Sequence, residues 1–176
     1  MPRLFVAIRP PEIVRDVLHD AMEGIDAARW QSDEQLHLTL RFVGDVDVPL
    51  ANDLAAELAR VKAAPFPLQI KGVGHFEKKG RIHTAWAGVV AEPELLDLQR
   101  RVERACRTVG IAPETRKFTP HVTLARLNSS SGQIGDWLAA HGALEAQPFI
   151  VREMALYEST LGREGSHYQP VVTYPL

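Results

Sequence analysis

The sequence predicts an α+β chain folded as two similar lobes, and three observations carry that expectation. Short apolar strands alternate with amphipathic helices along all 176 residues. The same order of elements runs twice. In each run one strand carries a His-x-Thr tetrapeptide, His37-Leu38-Thr39-Leu40 and then His121-Val122-Thr123-Leu124.

The elements follow in order. Residues 4–8 form an apolar run closed by Arg9-Pro10-Pro11, as expected of a buried strand stopped by proline. Pro11 suits the first turn of a helix, and Ile13, Val14, Val17, Leu18, Ala21, Met22 and Ile25 recur at the helical period. Residues 36–43 alternate as a strand. Leu36, Leu38, Leu40 and Phe42 share one face, and His37, Thr39, Arg41 and Val43 share the other. A second helix is predicted over 49–61, a strand over 65–70 and a bend at Gly72-Val73-Gly74. Residues 81–90 read as a strand. A helix over 92–109 has Leu95, Leu98, Val102, Ala105 and Val109 on its apolar stripe and Gly110 as its C-terminal cap. Residues 118–126 are again strand-like. Ser129-Ser130-Ser131 offers a cap to a short helix carrying Ile134, Trp137 and Leu138. Residues 148–157 and 168–174 are the closing strands.

Each half thus reads strand, helix, His-x-Thr strand, helix, Pro-Phe strand. Pro65 lies 28 residues after His37, and Pro148 lies 27 after His121. A repeat with preserved order and near-equal offset implies lobes related by a pseudo-twofold axis. Residues 1–176 are read as a single bilobal domain, with halves at about 1–78 and 79–176 and the joint in the glycine-rich stretch 72–80.

Composition narrows the function classes. Hydrophobic residues make up 45% and charged residues 24%, which excludes a disordered or low-complexity chain. The net charge of -2 and pI of about 6.4 disfavour a broad face that neutralises long nucleic acid, but leave room for a local basic pocket. Arginine outnumbers lysine, 15 to 5. Cys106 is the only cysteine, so no internal disulfide or cysteine metal cage can form. It falls on the apolar side of its helix, where a buried inert thiol is expected. No apolar run reaches the roughly 18 residues of a membrane span, and the first apolar run is too short for a signal peptide. No membrane partner and a cytoplasmic location are therefore expected.

The two tetrapeptides carry the chemistry. In each, histidine and threonine project from one face of a strand while the intervening residue points into a core. Two such pairs related by the repeat could converge on one cleft. One neutral histidine can accept a proton while a charged one donates, and the threonine hydroxyls can donate to phosphoryl oxygens. This is equipment for attack on a phosphodiester with proton delivery to the leaving oxygen. No cofactor and no metal are required, since a cationic histidine and an arginine can offset the developing charge. Arg41 shares the ideal strand face of His37 and Thr39. Arg126 stands at an odd offset from His121 and reaches the cleft only through a bulge or a strand end. Phe118 and Trp86 are candidates for base stacking, with Phe42 and Phe5 behind them. Lys78, Lys79 and Arg81 form a small basic cluster that is either a solvated hairpin or a contact for an RNA backbone. His83 reads as a surface strand residue, His75 as a loop residue, and His19, His141 and His167 lack partner motifs.

These stretches resemble the 2H phosphoesterase superfamily, and within it the RNA 2′,3′-cyclic phosphodiesterase family, also called LigT-like or 2′-5′ RNA ligase-like. The resemblance rests on Arg3-Leu4-Phe5-Val6-Ala7-Ile8, on Leu36-His37-Leu38-Thr39-Leu40-Arg41-Phe42-Val43-Gly44 and on Phe118-Thr119-Pro120-His121-Val122-Thr123-Leu124-Ala125-Arg126. Weaker matches are Gly74-His75-Phe76, Trp86-Ala87-Gly88-Val89 and Tyr157-Glu158-Ser159-Thr160-Leu161. It implies two antiparallel-rich sheets facing a central cleft, with helices outside. It also implies opening of a terminal 2′,3′-cyclic phosphate on RNA to a 2′-phosphomonoester. His37 and His121 would transfer protons, His37 leaning to acid and His121 to base, although the symmetry of the sequence does not fix that order. Thr39, Thr123, Arg41 and Arg126 would hold the phosphate. The expected partners are RNA 3′ ends bearing the cyclic phosphate, or small nucleotide cyclic phosphates, bound by a monomer. The alternatives are a 2′-5′ RNA ligase or phosphodiesterase, and a module that binds a nucleotide or RNA end without turnover.

Overall fold

A computed structural model describes all 176 residues. The strands are β1 (Arg3–Ile8), β2 (Arg29–Trp30), β3 (Leu38–Asp45), β4 (Phe66–Leu68), β5 (Ile70–Lys78), β6 (Arg81–Val89), β7 (His121–Arg126), β8 (Phe149–Val151), β9 (Glu153–Gly162) and β10 (Gly165–Pro175). The helices are α1 (Glu12–Asp20), α2 (Val48–Leu58), α3 (Pro93–Thr108) and α4 (Gly135–His141). Prolines open α2 and α3, where a missing N–H costs nothing, and the Asp47 side chain caps α2 by accepting from Leu50 N–H.

One eight-stranded antiparallel sheet runs in the order β10-β9-β1-β3-β7-β6-β5, with β2 beside β7. Its two halves meet through a single residue pair, Leu38 opposite Val122, where β3 touches β7. The order β9-β1-β3 on one side of that pair mirrors β5-β6-β7 on the other. A separate ribbon of β4 and β8 contains the two Pro-Phe segments that mark the repeat.

The strands are exchanged between the sequence halves. β5 belongs to residues 1–78 but pairs with β6, and β9 belongs to the second half but pairs with β1. Each side of the sheet is therefore built from both halves. The expected joint at 72–80 is mostly strand. β5 runs through it with a bulge between Ile70 and Val73, and the reversal is only the Lys79-Gly80 turn. The strand expected over 148–157 is broken, with β8 ending at Val151 and β9 resuming at Glu153, and the last strand, β10, is longer than the expected 168–174.

The helices cover one face of the sheet. Val14 and Leu18 of α1, Leu54 and Leu58 of α2, Leu95, Leu98 and Val102 of α3 and Trp137 of α4 form one core with Leu4, Val6, Ile8, Leu38, Leu40, Ala85, Ala87, Val122 and Leu124. Burying each of the valine, leucine and isoleucine side chains among them contributes about 1.5–3 kcal/mol. Cys106 sits in this core, and burial pushes its thiol up to about 11. Helix α1 stops at Asp20, five residues before Ile25, though Ala21 and Ile25 stay buried. The three serines before α4 do not cap it, because they form a turn around Asn128, and Ile134 takes the cap position. The opposite face of the sheet carries a smaller cluster of Phe5, Ala7, Ala155 and Tyr157 with Tyr168 against it, and both histidine motifs open onto this face.

Candidate active site at the strand junction

The junction pair fixes the site. Leu38 and Val122 point into the core, so the flanking His37, Thr39, His121 and Thr123 turn to the other face. The antiparallel sense sets His37 toward Thr123 and Thr39 toward His121. The two polar pairs predicted from the repeat are thus brought together by one contact between strands.

Each histidine is walled by aromatic rings at matching positions. The Tyr157 ring lies 4.5 Å from that of His37, and the Phe76 ring lies 4.8 Å from that of His121. Tyr157 pairs with Phe5 across β9 and β1, and Phe76 pairs with Thr84 across β5 and β6. Phe5 and Tyr168 complete the wall at His37, at 6.0 and 5.7 Å. Trp86 stands 5.8 Å from His121 and lies flat over Gly74, where an added Cβ would sit 2.3 Å from the indole. Only a glycine lets the indole lie there. Tyr157 and Phe76 did not stand out as candidates in the sequence; the only signal was their place in the weaker matching stretches.

The two histidines differ in their bonding. His37 is 6% exposed, and both ring nitrogens are buried without a hydrogen-bond partner. Burial lowers its pKa to about 4; the Gln35 carbonyl opposes this, and Arg9 and Arg15 add to it. Those arginines are themselves held at 2.9 Å by Asp33, which also bonds His19. His121 is also lowered, chiefly by burial, but its Nδ1 lies 2.6 Å from the Thr119 carbonyl. A carbonyl can only accept, so Nδ1 carries the proton and Nε2 of the neutral ring keeps its lone pair. The Trp86 indole N–H is the remaining buried side-chain donor without a partner. Buried polar atoms are normally paired, and here the exceptions gather around one cleft.

Strand bulges decide which residues follow each motif onto the cleft face. In β3, Thr39 faces Ala7 and Arg41 faces Val6, so Leu40 is an extra residue. In β7, Thr123 faces Trp86 and Ala125 faces Ala85, so Leu124 is extra. A bulge shifts the alternation by one. Arg126 therefore swings to the face of His121, where it donates to Thr84 Oγ1 at 3.4 Å and lowers the His121 pKa by its charge. Arg41 swings the opposite way, contrary to its expected place beside His37. It is 7% exposed, meets the Glu103 carboxylate of α3 at 2.5 Å and donates to the carbonyls of Phe42 and Ala112. Its guanidinium is consumed on the helix side and is not a phosphate ligand. Phe42, expected to point with the leucines, is instead 46% exposed on the cleft face, at the position matching Arg126. Phe118 is half-buried and packs against the helix-side core. Trp86 stays at the cleft. Thr39 and Thr123 are half-buried beside the histidines.

The family model of the 2′-5′ RNA ligase superfamily matches residues 10–163. The RNA 2′,3′-cyclic phosphodiesterase of Aeropyrum pernix is 34% identical over 140 residues, 78% of this chain and 80% of that protein. The protein of the same name from Thermotoga maritima is 30% identical over 175 residues, 95% of this chain and 91% of its own. Among solved structures, Escherichia coli LigT complexed with 3′-AMP superposes with a TM-score of 0.81 at 26% identity, over 100% of this chain and 99% of that one.

Proposed function

Since the chain belongs to the 2′-5′ RNA ligase superfamily, we propose that it is an RNA 2′,3′-cyclic phosphodiesterase that works by acid–base catalysis between His37 and His121. The observation that carries this is the strand junction: two His-x-Thr pairs flank one residue pair and face one cleft. A binding module has no need of two proton-transfer groups, so turnover is the better reading.

The chemistry follows from the bonding of each ring. His121, with Nδ1–H donated to Thr119, presents the Nε2 lone pair and takes a proton from water as the water oxygen attacks phosphorus. The P–O3′ bond breaks, and O3′ receives a proton from His37. The product is a 2′-phosphomonoester, with His121 charged and His37 neutral until solvent exchange resets them. An apolar pocket holds His37 neutral on its own, so the anionic phosphate supplies the counter-charge that lets it arrive protonated. The Thr39 and Thr123 hydroxyls donate to the non-bridging oxygens, and Arg126 offsets charge that grows on them. The reverse-type reaction, in which a 5′-hydroxyl replaces water and a 2′-5′ linkage forms, would use the same groups.

The test is incubation with a short RNA ending in a 2′,3′-cyclic phosphate, in EDTA, with the product phosphate located by NMR. Wild type is expected to give the 2′-phosphate, with a bell-shaped pH profile. His37→Ala and His121→Ala are each expected to lose about 10²–10⁴ in kcat. Activity abolished by chelator and restored by a divalent ion, or full activity in either variant, would sink the mechanism.

A further inference from the structure

We propose that the concavity at the tip of the β5–β6 hairpin, lined by Lys78, Lys79, Arg81 and His83, binds internucleotide phosphates of the RNA chain behind its cyclic end. This rests on the phosphodiesterase reading and names a part of the substrate that the histidine cleft does not reach.

The concavity has a volume of about 630 Å³, and its lining consists of those four residues with no carboxylate among them. Some exposed arginines elsewhere lean on acids, Arg3 on Asp45, Arg101 on Asp97 and Arg116 on Glu114, whereas others, such as Arg29 and Arg163, stand unpaired singly. Lys78, Lys79 and Arg81 enter no ion pair. They stand free in a chain whose net charge is -2.

Two local rules are broken within the same turn. Lys78 and Arg81 are direct cross-strand partners, a like-charge pairing that destabilises a hairpin. Lys79 holds φ +54 beside Gly80 at φ +75, a turn position that favours asparagine or glycine over a long side chain. Neither choice helps the hairpin form. Both place cations at its tip, and a bound polyanion would offset the repulsion. Violations of local preference concentrate where function requires them.

The hairpin is also joined to the reacting centre. The His83 ring is 6.5 Å from Phe76, whose ring is 4.8 Å from His121. His83 Nδ1 lies 2.7 Å from Thr84 Oγ1, the hydroxyl that Arg126 reaches. A row of rings and cations thus leads from His121 along β5 and β6 to the tip. Stacking faces interleaved with cations are how single strands are held without sequence preference.

The experiment compares a mononucleoside 2′,3′-cyclic phosphate with an oligoribonucleotide carrying the same end, in wild type and in Lys78→Gln/Lys79→Asn/Arg81→Gln. Asparagine is chosen because it suits the left-handed turn. The variant should lose on the order of tenfold in kcat/KM on the oligonucleotide at low salt and stay within twofold on the mononucleoside. Three lost contacts should reduce its log–log salt slope by about 2. Equal loss on both substrates, or none on the oligonucleotide, would overturn the proposal. Wild type inactive on both would refute the phosphodiesterase reading instead. The hairpin is then judged by fluorescence anisotropy of the labelled oligonucleotide, where equal affinity and salt slope in variant and wild type would overturn it.

Discussion

Arg41 and Arg126 follow the histidines of their motifs by four and five residues, and the structure sends them to opposite faces of the sheet. Replacing Arg41 with methionine removes the guanidinium from the Glu103 carboxylate and from two backbone carbonyls. Glu103 is only 17% exposed and would keep the Glu114 N–H and a distant Arg107 at 4.0 Å. Breaking a pair buried this deeply costs about 3–5 kcal/mol, mostly from the stranded charge. With the remaining donors on Glu103, about 3 kcal/mol is expected. At about 2 kcal/mol/M, that lowers the urea midpoint by about 1.5 M. The protein that remains folded should keep its kcat/KM within a few-fold. Arg126→Met is the mirror case. Arg126 is exposed and bonded only through Thr84, so stability should move by no more than about 0.5 kcal/mol. Its kcat/KM should fall about 10²–10³-fold, the usual loss for one donor to a charged transition state. Urea midpoints and steady-state rates on both variants decide the matter. An Arg41→Met protein as stable as wild type but tenfold slower would refute the placement of Arg41 on the helix side. Recovery of stability in Arg41→Met/Glu103→Leu would support the stranded-charge account.

Two further outcomes are expected. The folded-state pKa of His37 is lowered from 6.5 to about 4, so the unfolded chain takes up its proton first as pH falls. Stability contributed by the neutral ring is therefore full above about pH 6.5 and declines toward pH 4, with a loss of about 2 kcal/mol between pH 7 and 5. His121 acts in the same direction, whereas Asp33 and Glu114, each held down at about 2, act only below this window. Urea melts at both pH values should show this slope flattened in His37→Phe, and an unchanged slope there would exclude His37 as its source. Gly74→Ala should displace the Trp86 indole, since its Cβ would lie 2.3 Å from the ring. The expected result is weaker binding of the substrate, read as a rise in KM, with shifted Trp fluorescence; an unshifted emission would show that the indole does not depend on this glycine.

By itself the sequence determined the α+β alternation, the repeat and the pairs His37–Thr39 and His121–Thr123, because periodicity and motif spacing are local properties of the chain. The apolar stripe that buries Cys106 was legible for the same reason, whereas the pairing of the two Pro-Phe strands as β4 and β8 emerged only in the fold. What it did not determine depends on residues far apart in the chain. Ideal alternation assigned Arg41 to the cleft and Arg126 away from it. One extra residue in each strand, set by pairing with β1 and β6, reverses both. The exchange of β5 and β9 between halves leaves no local trace, since a strand's neighbour is chosen by whichever partner exposes matching hydrogen bonds. The same holds for the wall of Tyr157, Tyr168 and Phe76. Those rings are distant in sequence from the histidines they cover, and only the packed sheet brings them close enough to strip water from His37 and His121 and lower their pKa values.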